Sequence, residues 1–206
     1  MVRQPTVGEV LEDIEKYEKY LGTILFDVSE FVSEHNLSSD INAFDILMLN
    51  EETSMKLMEA IYFFVDGKIQ ITSKGLVTDI GIINHDTFPL LRKAIRTVNF
   101  LQENEIESAK PKNKKAAEIL EKINKAKKKQ AKKVDKNLSL HNMVGALCAR
   151  SNTYNLLNIM GLTLYQFYDQ FYRQSMMESY DMARHRWEVW GKESFDAQLW
   201  YKKYDN

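Results

Sequence analysis

The sequence predicts a mainly α-helical protein of the α+β class. Apolar residues recur at helical spacing along most of the chain, and a turn at Asp66-Gly67 precedes alternating polar and apolar residues. A long aromatic-rich helix is indicated near the C-terminus. These observations predict an N-terminal helical domain with a small β-hairpin (1–109), a Lys-rich, basic helical linker (110–137), and a C-terminal helical domain with one long amphipathic helix (138–206).

The first helix is expected over residues 6–21. Thr6 is a favourable N-cap residue, and Glu9 follows it at the spacing of a capping box. Apolar residues share one side of this segment, and Gly22 is expected to end it. The next apolar segment, residues 24–32, fits a buried helix as well as a strand.

Two further helices flank the predicted hairpin. They span residues 51–65 and 88–101, and Pro89 fits the first turn of the later helix, where its missing N–H does no harm. The hairpin consists of residues 68–72, in which polar and apolar side chains alternate, and of residues 77–83.

A lysine-rich segment separates the two predicted domains. Residues 110–136 contain twelve lysines and three acidic residues, so this segment carries +9 and the rest of the chain −10. Its apolar stripe is thin, which predicts a solvated helical linker. An acidic protein surface or the phosphates of a nucleic acid are alternative partners, although the segment lacks the aromatic and arginine side chains used for base stacking and base-edge readout. The candidate contacts of this basic strip are Lys114, Lys115, Lys125, Lys127, Lys128, Lys129, Lys132 and Lys133.

The long helix is predicted from Leu162 to Gly191. Thr163 is its N-cap and Gln166 completes a capping box, while Gly191 is placed to end it in the left-handed conformation. The residues expected on its inner side follow helical spacing and are Leu164, Phe167, Tyr168, Phe171, Ser175 and Met182.

The same helix has more aromatic residues than one small core can bury. Clusters of exposed aromatic residues and methionines are typical of protein interfaces. We therefore expect the C-terminal domain to bind a partner protein. The candidate partner-binding residues are Tyr165, Phe167, Tyr168, Tyr172, Met176, Trp187 and Trp190.

The sequence contains no recognisable catalytic, cofactor-binding or metal-binding motif. The glycines do not form a phosphate-binding loop, and the four histidines lack metal-ligand spacing. His141 and Cys148 lie seven residues apart, yet no third residue is placed to orient them, which favours a small buried cysteine. We therefore expect a protein that is not an enzyme and needs no cofactor.

Three segments carry phrases found together in a known group of proteins. Residues 4–21 contain Pro5-Thr6-Val7-Gly8-Glu9, the lysine-rich helix follows, and residues 155–174 contain a phrase from Leu162 to Arg173. This combination resembles small bacteriophage proteins that are encoded near the tail tape-measure gene. The resemblance implies a tail assembly chaperone, or a tail or baseplate assembly factor, which binds the tape-measure protein or another tail protein. A homo-oligomer is a further association that the sequence leaves open. A nucleic-acid-binding accessory protein that uses the basic strip is the competing hypothesis.

The expected location is the cytoplasm of a bacterial host, with the virion tail as an alternative. The single cysteine excludes an intramolecular disulfide. No apolar run approaches the ~20 residues that span a bilayer. The first ten residues lack the apolar stretch of a signal peptide.

Overall fold

The structure is a computed structural model that describes residues 2–26, 28, 42–79, 81–101, 139–191 and 195–202. The chain divides into two compact units, the first formed by Met1–Leu101 with Met160–Asp169 and the second by Gln102–Ile159 with Gln170–Asn206. The described part is mostly helical and contains a small antiparallel sheet, which confirms the predicted fold class.

The first unit begins with two helices where the sequence predicted one. α1 (Val7–Glu12) and α2 (Ile14–Leu25) are separated at Asp13, whose backbone leaves the helical region with φ −149° and ψ 79°. The Asp13 carboxylate accepts a hydrogen bond of 3.0 Å from the Lys16 backbone N–H and caps α2. A short acidic side chain that bonds to nearby backbone favours such a helix start over a helix interior.

The prediction that Gly22 ends the helix is wrong. α2 continues through Gly22 to Leu25, and Ile24 in its last turn is fully buried. Burial of that side chain outweighs the low helix propensity of glycine, which is about 1 kcal/mol below that of alanine.

The remaining helices of this unit are α3 (Ala43–Leu47), α4 (Glu51–Phe64) and α5 (Phe88–Val98). α4 confirms the predicted helix to within one residue. α5 ends before the predicted Leu101, because Phe100 adopts a positive φ of 59°. α2 and α4 pack against each other. The fully buried side chains of the unit include Val7, Val10, Leu57, Ile61, Phe64, Leu76 and Ile95.

The predicted hairpin is a three-stranded antiparallel sheet in the order β1 (Gln70–Thr72), β2 (Gly75–Thr78) and β3 (Gly81–Ile83). Residues 77–83 therefore do not form one strand. The chain turns at Asp79, whose Oδ2 accepts a hydrogen bond of 3.3 Å from the Lys68 backbone N–H.

In the second unit, α6 spans Leu140–Arg150 and a single turn of 3₁₀-helix covers Leu199–Tyr201. The long helix, α7, spans Leu164–Trp190, with its residues up to Asp169 in the first unit and the rest in the second. A second 3₁₀ turn, Ile159–Gly161, precedes it. The apolar residues predicted after residue 138 are buried on α6: Leu140, Met143, Val144 and Leu147.

The start of α7 joins the first unit through backbone pairing with the start of α1. Thr6 and Thr163 form an antiparallel β-bridge. The Val7 N–H donates to the Leu162 carbonyl at 2.8 Å, and the Leu164 N–H donates to the Pro5 carbonyl at 2.9 Å. The two phrases on which the phage resemblance depends, at residues 5–9 and 162–173, thus meet in the structure.

This contact also accounts for a glycine. A Cβ atom on Gly8 would lie 3.1 Å from the carbonyl oxygen of Met160, which is tighter than ordinary van der Waals contact. A glycine lets the two segments approach closely. The contribution of Met160–Asp169 to the first unit was not indicated by the sequence, and the predicted domain boundaries stay a prediction.

Candidate functional site

The ends of α7 are as the sequence predicted. Gln166 N–H donates to Thr163 Oγ1 at 3.2 Å, and Thr163 N–H donates to Gln166 Oε1 at 3.0 Å, which forms the reciprocal bonds of a capping box. At the other end, Gly191 has φ +62° and its N–H donates to the Trp187 carbonyl at 2.9 Å. A local side-chain cap therefore defines the first end of the helix, and the backbone conformation of a glycine defines the second.

The predicted inner side of α7 extends along only part of the helix. Leu164 and Phe167 are buried, and the other residues of α7 are half-buried or exposed. Ser175 is exposed and Met182 is 60% exposed, so their prediction as inner residues is wrong. The periodicity of the sequence shows which side is apolar, but it does not show how far a covering element extends along that side.

Three of the candidate partner-binding residues belong to the first unit. Phe167 is fully buried, so its ring is unavailable to a partner. Tyr165 is 42% exposed, and its ring lies 5.3 Å from that of Phe100. Tyr168 is half-buried and stacks on Phe100 at 6.0 Å. Phe100, the residue with the positive φ after α5, thus packs its ring against the first turns of α7.

The other candidates lie on one side of α7 in the second unit. Tyr180, which was not among the candidates, shares this side, and we name Tyr172, Met176, Tyr180, Trp187 and Trp190 the aromatic stripe. Their offsets of four, four, seven and three residues return to the same side of an α-helix. The first three are half-buried, whereas Trp187 is 49% and Trp190 70% exposed. The stripe therefore becomes more accessible toward the C-terminal end of the helix.

Phe195 contributes to this surface and was not among the predicted residues. Its ring lies 5.2 Å from that of Tyr180 and stacks against Trp187 at 5.9 Å. The contact requires the chain to reverse after Gly191. A left-handed glycine at the end of a helix is the one sequence signal that pointed to such a reversal.

The charges beside the aromatic stripe are paired within the helix. Arg184 Nη2 lies 3.6 Å from Asp181 Oδ1, and Arg184 Nε lies 3.7 Å from Glu188 Oε1. The guanidinium also lies 5.9 Å from the centre of the Tyr180 ring, within cation–π range. One guanidinium faces two carboxylates, so this group keeps a net charge of only −1, and the surface is distinguished mainly by its aromatic rings.

A short aromatic segment follows the reversal. Trp200 and Tyr201 are each 52% exposed, and their rings form an edge contact at 5.0 Å. Asp196 forms an ion pair with Lys202. The hydrogen bond from Lys202, together with that from the Gln198 N–H, lowers the pKa of the Asp196 carboxyl. The carboxylate is thus stabilised in its charged form.

No group of three or more His, Cys, Asp or Glu residues in the described ranges is arranged to hold a metal ion. Cys148 is a free thiol whose pKa is raised by burial, which disfavours the reactive thiolate. Among the described helices, none is long and apolar enough to cross a membrane. The basic strip, including all of its candidate lysines, lies outside the described residues.

A family model described as the YomV second domain matches residues 127–205, which is less than half of the chain. This family is of a phage type, and the matched range includes α6, α7 and the whole aromatic stripe. A search of curated proteins found no match to the chain. A search of solved structures also found none.

Proposed function

We propose that this chain is a non-enzymatic phage assembly factor that binds a tail protein through the aromatic stripe. The tape-measure protein is the proposed partner, with another tail or baseplate protein as the alternative. The site of action is the cytoplasm of the bacterial host. The match to a phage-type family supports a phage protein.

The joint exposure of Trp187 and Trp190 carries this proposal. They are two large indole rings on one side of a helix, 49% and 70% exposed. Tryptophan is enriched among the residues that contribute most to binding at protein interfaces. Its exposure also costs free energy that an apolar partner would recover.

The chemistry of the stripe favours a helical, partly apolar partner. Tyr172, Met176 and Tyr180 continue the side on which the tryptophans lie, so the stripe follows about five turns of helix. Helix-binding surfaces use such rows of apolar anchors, and methionine adapts to different partner shapes. A partner helix would contact the stripe along its length.

Co-expression with fragments of the tape-measure protein from the same phage tests the proposal. The double variant Trp187→Ala with Trp190→Ala is expected to retain less of the fragment, by tenfold or more, as for the loss of about 1.4 kcal/mol or more at an interface. Trp200→Ala is the matched control, because Trp200 is 52% exposed but lies outside α7. Equal retention of the fragment by the wild type, the double variant and Trp200→Ala contradicts the proposal.

A DNA-binding measurement distinguishes the proposed tail assembly factor from a nucleic-acid-binding accessory protein. Binding by the basic strip would weaken steeply as salt concentration rises, because lysine–phosphate contacts release counterions. Such binding, together with no capture of any tail protein, would favour the nucleic-acid accessory protein.

A further inference from the structure

A second side of α7 has a symmetric arrangement of residues about Met182. Glu178 and Arg186 lie four residues before and after it, and Ser175 and Val189 lie seven residues before and after it. Offsets of four and seven return to one side of an α-helix. We name these five residues the Met182 face, and all of them belong to the second unit.

The Met182 face is accessible to solvent, and only one of its two charged residues has an ion-pair partner. Met182 is 60% and Val189 56% exposed, and Ser175 and Arg186 are exposed as well. Glu178 Oε1 accepts a hydrogen bond of 2.8 Å from Arg150 Nε. Within the part of the chain that the structure describes, Arg186 takes part in no ion pair.

We propose that a second copy of this chain binds the Met182 face, with the two α7 helices antiparallel and Met182 at the twofold axis. In this arrangement, each residue lies opposite the one at the same distance on the other side of Met182 in the second copy. Glu178 then faces Arg186 of the second copy, and symmetry makes this contact twice. The small Ser175 lies opposite the larger Val189.

The charges of Glu178 and Arg186 favour a second copy of this chain as the partner, and they favour antiparallel over parallel helices. A parallel pair would place Glu178 against Glu178 and Arg186 against Arg186, and like charges in contact oppose association. The antiparallel pair replaces both repulsions with attractions. Twofold symmetry is also the commonest arrangement of homo-oligomers.

The dimer is expected to be weak and concentration-dependent. The Met182 face spans about four helical turns. A helix pair of that length buries less than the ~1,600 Å² of a standard stable interface. The aromatic stripe lies on another side of α7, so the inference does not depend on the proposed tail partner.

Two charge variants of the full chain and their mixture test the pairing. Arg186→Glu places a carboxylate opposite Glu178, and Glu178→Lys places an ammonium opposite Arg186. Each variant alone is expected to dimerise at least about tenfold more weakly than the wild type in sedimentation equilibrium, because like charges oppose association at both contacts. An equimolar mixture restores opposite charges at both contacts and is expected to recover the dimer. Circular dichroism establishes that each variant is folded.

A methionine pair tests the position of the axis. Met182→Glu places two carboxylates at the axis and is expected to abolish the dimer. Met177→Glu is the matched control, since Met177 is 48% exposed on a different side of α7. A wild-type chain that stays monomeric up to its solubility limit overturns the proposal. So does a mixture of the charge variants that stays monomeric, or equal weakening by the two methionine variants.

Discussion

Asn99 is a polar residue that is only 1% exposed, and its hydrogen bonds account for its burial. The Tyr17 hydroxyl donates to Asn99 Oδ1 at 3.0 Å, and Asn99 Nδ2 donates to the Ile95 carbonyl at 2.7 Å. Burial raises the pKa of Tyr17, so the hydroxyl remains protonated and remains a donor at neutral pH. Buried polar groups are stable where they are paired in this way.

Asn99→Ala is expected to lower the free energy of unfolding by about 1–3 kcal/mol, because it leaves the buried Tyr17 hydroxyl without its acceptor. Chemical denaturation measures the change. Adding Tyr17→Phe to this variant removes the orphaned hydroxyl and should recover part of the loss. A double variant that is less stable than Asn99→Ala would show that the hydroxyl is not the source of the cost.

Glu9 gives the first unit a pH-dependent contact. Its Oε2 accepts a hydrogen bond of 2.9 Å from the Thr6 N–H, and its Oε1 accepts one of 2.9 Å from Arg3 Nη1. Partial burial acts to raise the pKa of Glu9, but the bonds from Thr6 and the charge of Arg3 outweigh it and hold the pKa below its ordinary value. The folded state therefore favours the carboxylate.

Because its folded pKa is depressed, Glu9 stabilises the fold above its unfolded pKa, and this contribution is lost as pH falls through the folded pKa. The stability difference between the wild type and Glu9→Gln is expected to be largest at neutral pH. It should shrink as the pH falls below about 4.3. Thermal melts across this pH range measure the difference, and a constant difference would contradict the assignment.

At the scale of the element, the start of α7 depends on the Thr163 cap. Thr163→Ala removes the acceptor for the Gln166 N–H and should cost about 1 kcal/mol of stability. Thr163→Ser retains a hydroxyl and is expected to be nearly neutral. Denaturation of the two variants tests this directly, and equal stabilities would mean that the cap does not contribute.

Helix ends were predictable because the groups that define them are local. The hydroxyls of Thr6 and Thr163 accept hydrogen bonds from backbone N–H groups three residues later. Gly191 ends its helix through its own left-handed backbone conformation. The breaks at Asp13 and Asp79 were missed because apolar periodicity continues across them. At Asp13, the short acidic side chain bonds to the nearby Lys16 backbone N–H in preference to continuing one helix. The Asp79 side chain bonds to the Lys68 backbone N–H, eleven residues earlier, which apolar periodicity does not indicate.

The candidate site was predictable to a similar degree. The aromatic content of the long helix singled out Trp187 and Trp190 as candidates, and the structure exposes both. Spacing did not show that Phe167 is fully buried, because burial depends on the neighbouring elements of the first unit. The Phe195 contact was missed because it follows a reversal of the chain.

At the scale of the whole molecule, the first unit takes residues from two separate parts of the chain. Met160–Asp169 groups with Met1–Leu101 through the Thr6–Thr163 bridge and its adjoining backbone bonds. The predicted domains are each contiguous in sequence, so they do not assign a C-terminal segment to the first unit. This pairing is made by backbone N–H and C=O groups, which every residue has. The sequence therefore gives no side-chain pattern that predicts it.

Limited trypsin digestion is expected to cut first within the lysine-rich residues 110–136, as for an exposed linker. The two fragments should still elute together under native conditions, because the C-terminal fragment supplies residues 160–169 to the first unit. Size-exclusion chromatography with mass spectrometry measures this. Separation of intact fragments without denaturant would contradict it.

The central claim is that the aromatic stripe itself contacts a tail protein, and tryptophan fluorescence tests this most directly. The chain has three tryptophans, so Trp200→Phe leaves only Trp187 and Trp190, both on the stripe. Titration with a tape-measure fragment is expected to shift their emission to shorter wavelength and to reduce quenching by acrylamide, as both indoles leave water. Binding of the fragment with unchanged emission and quenching would contradict the claim.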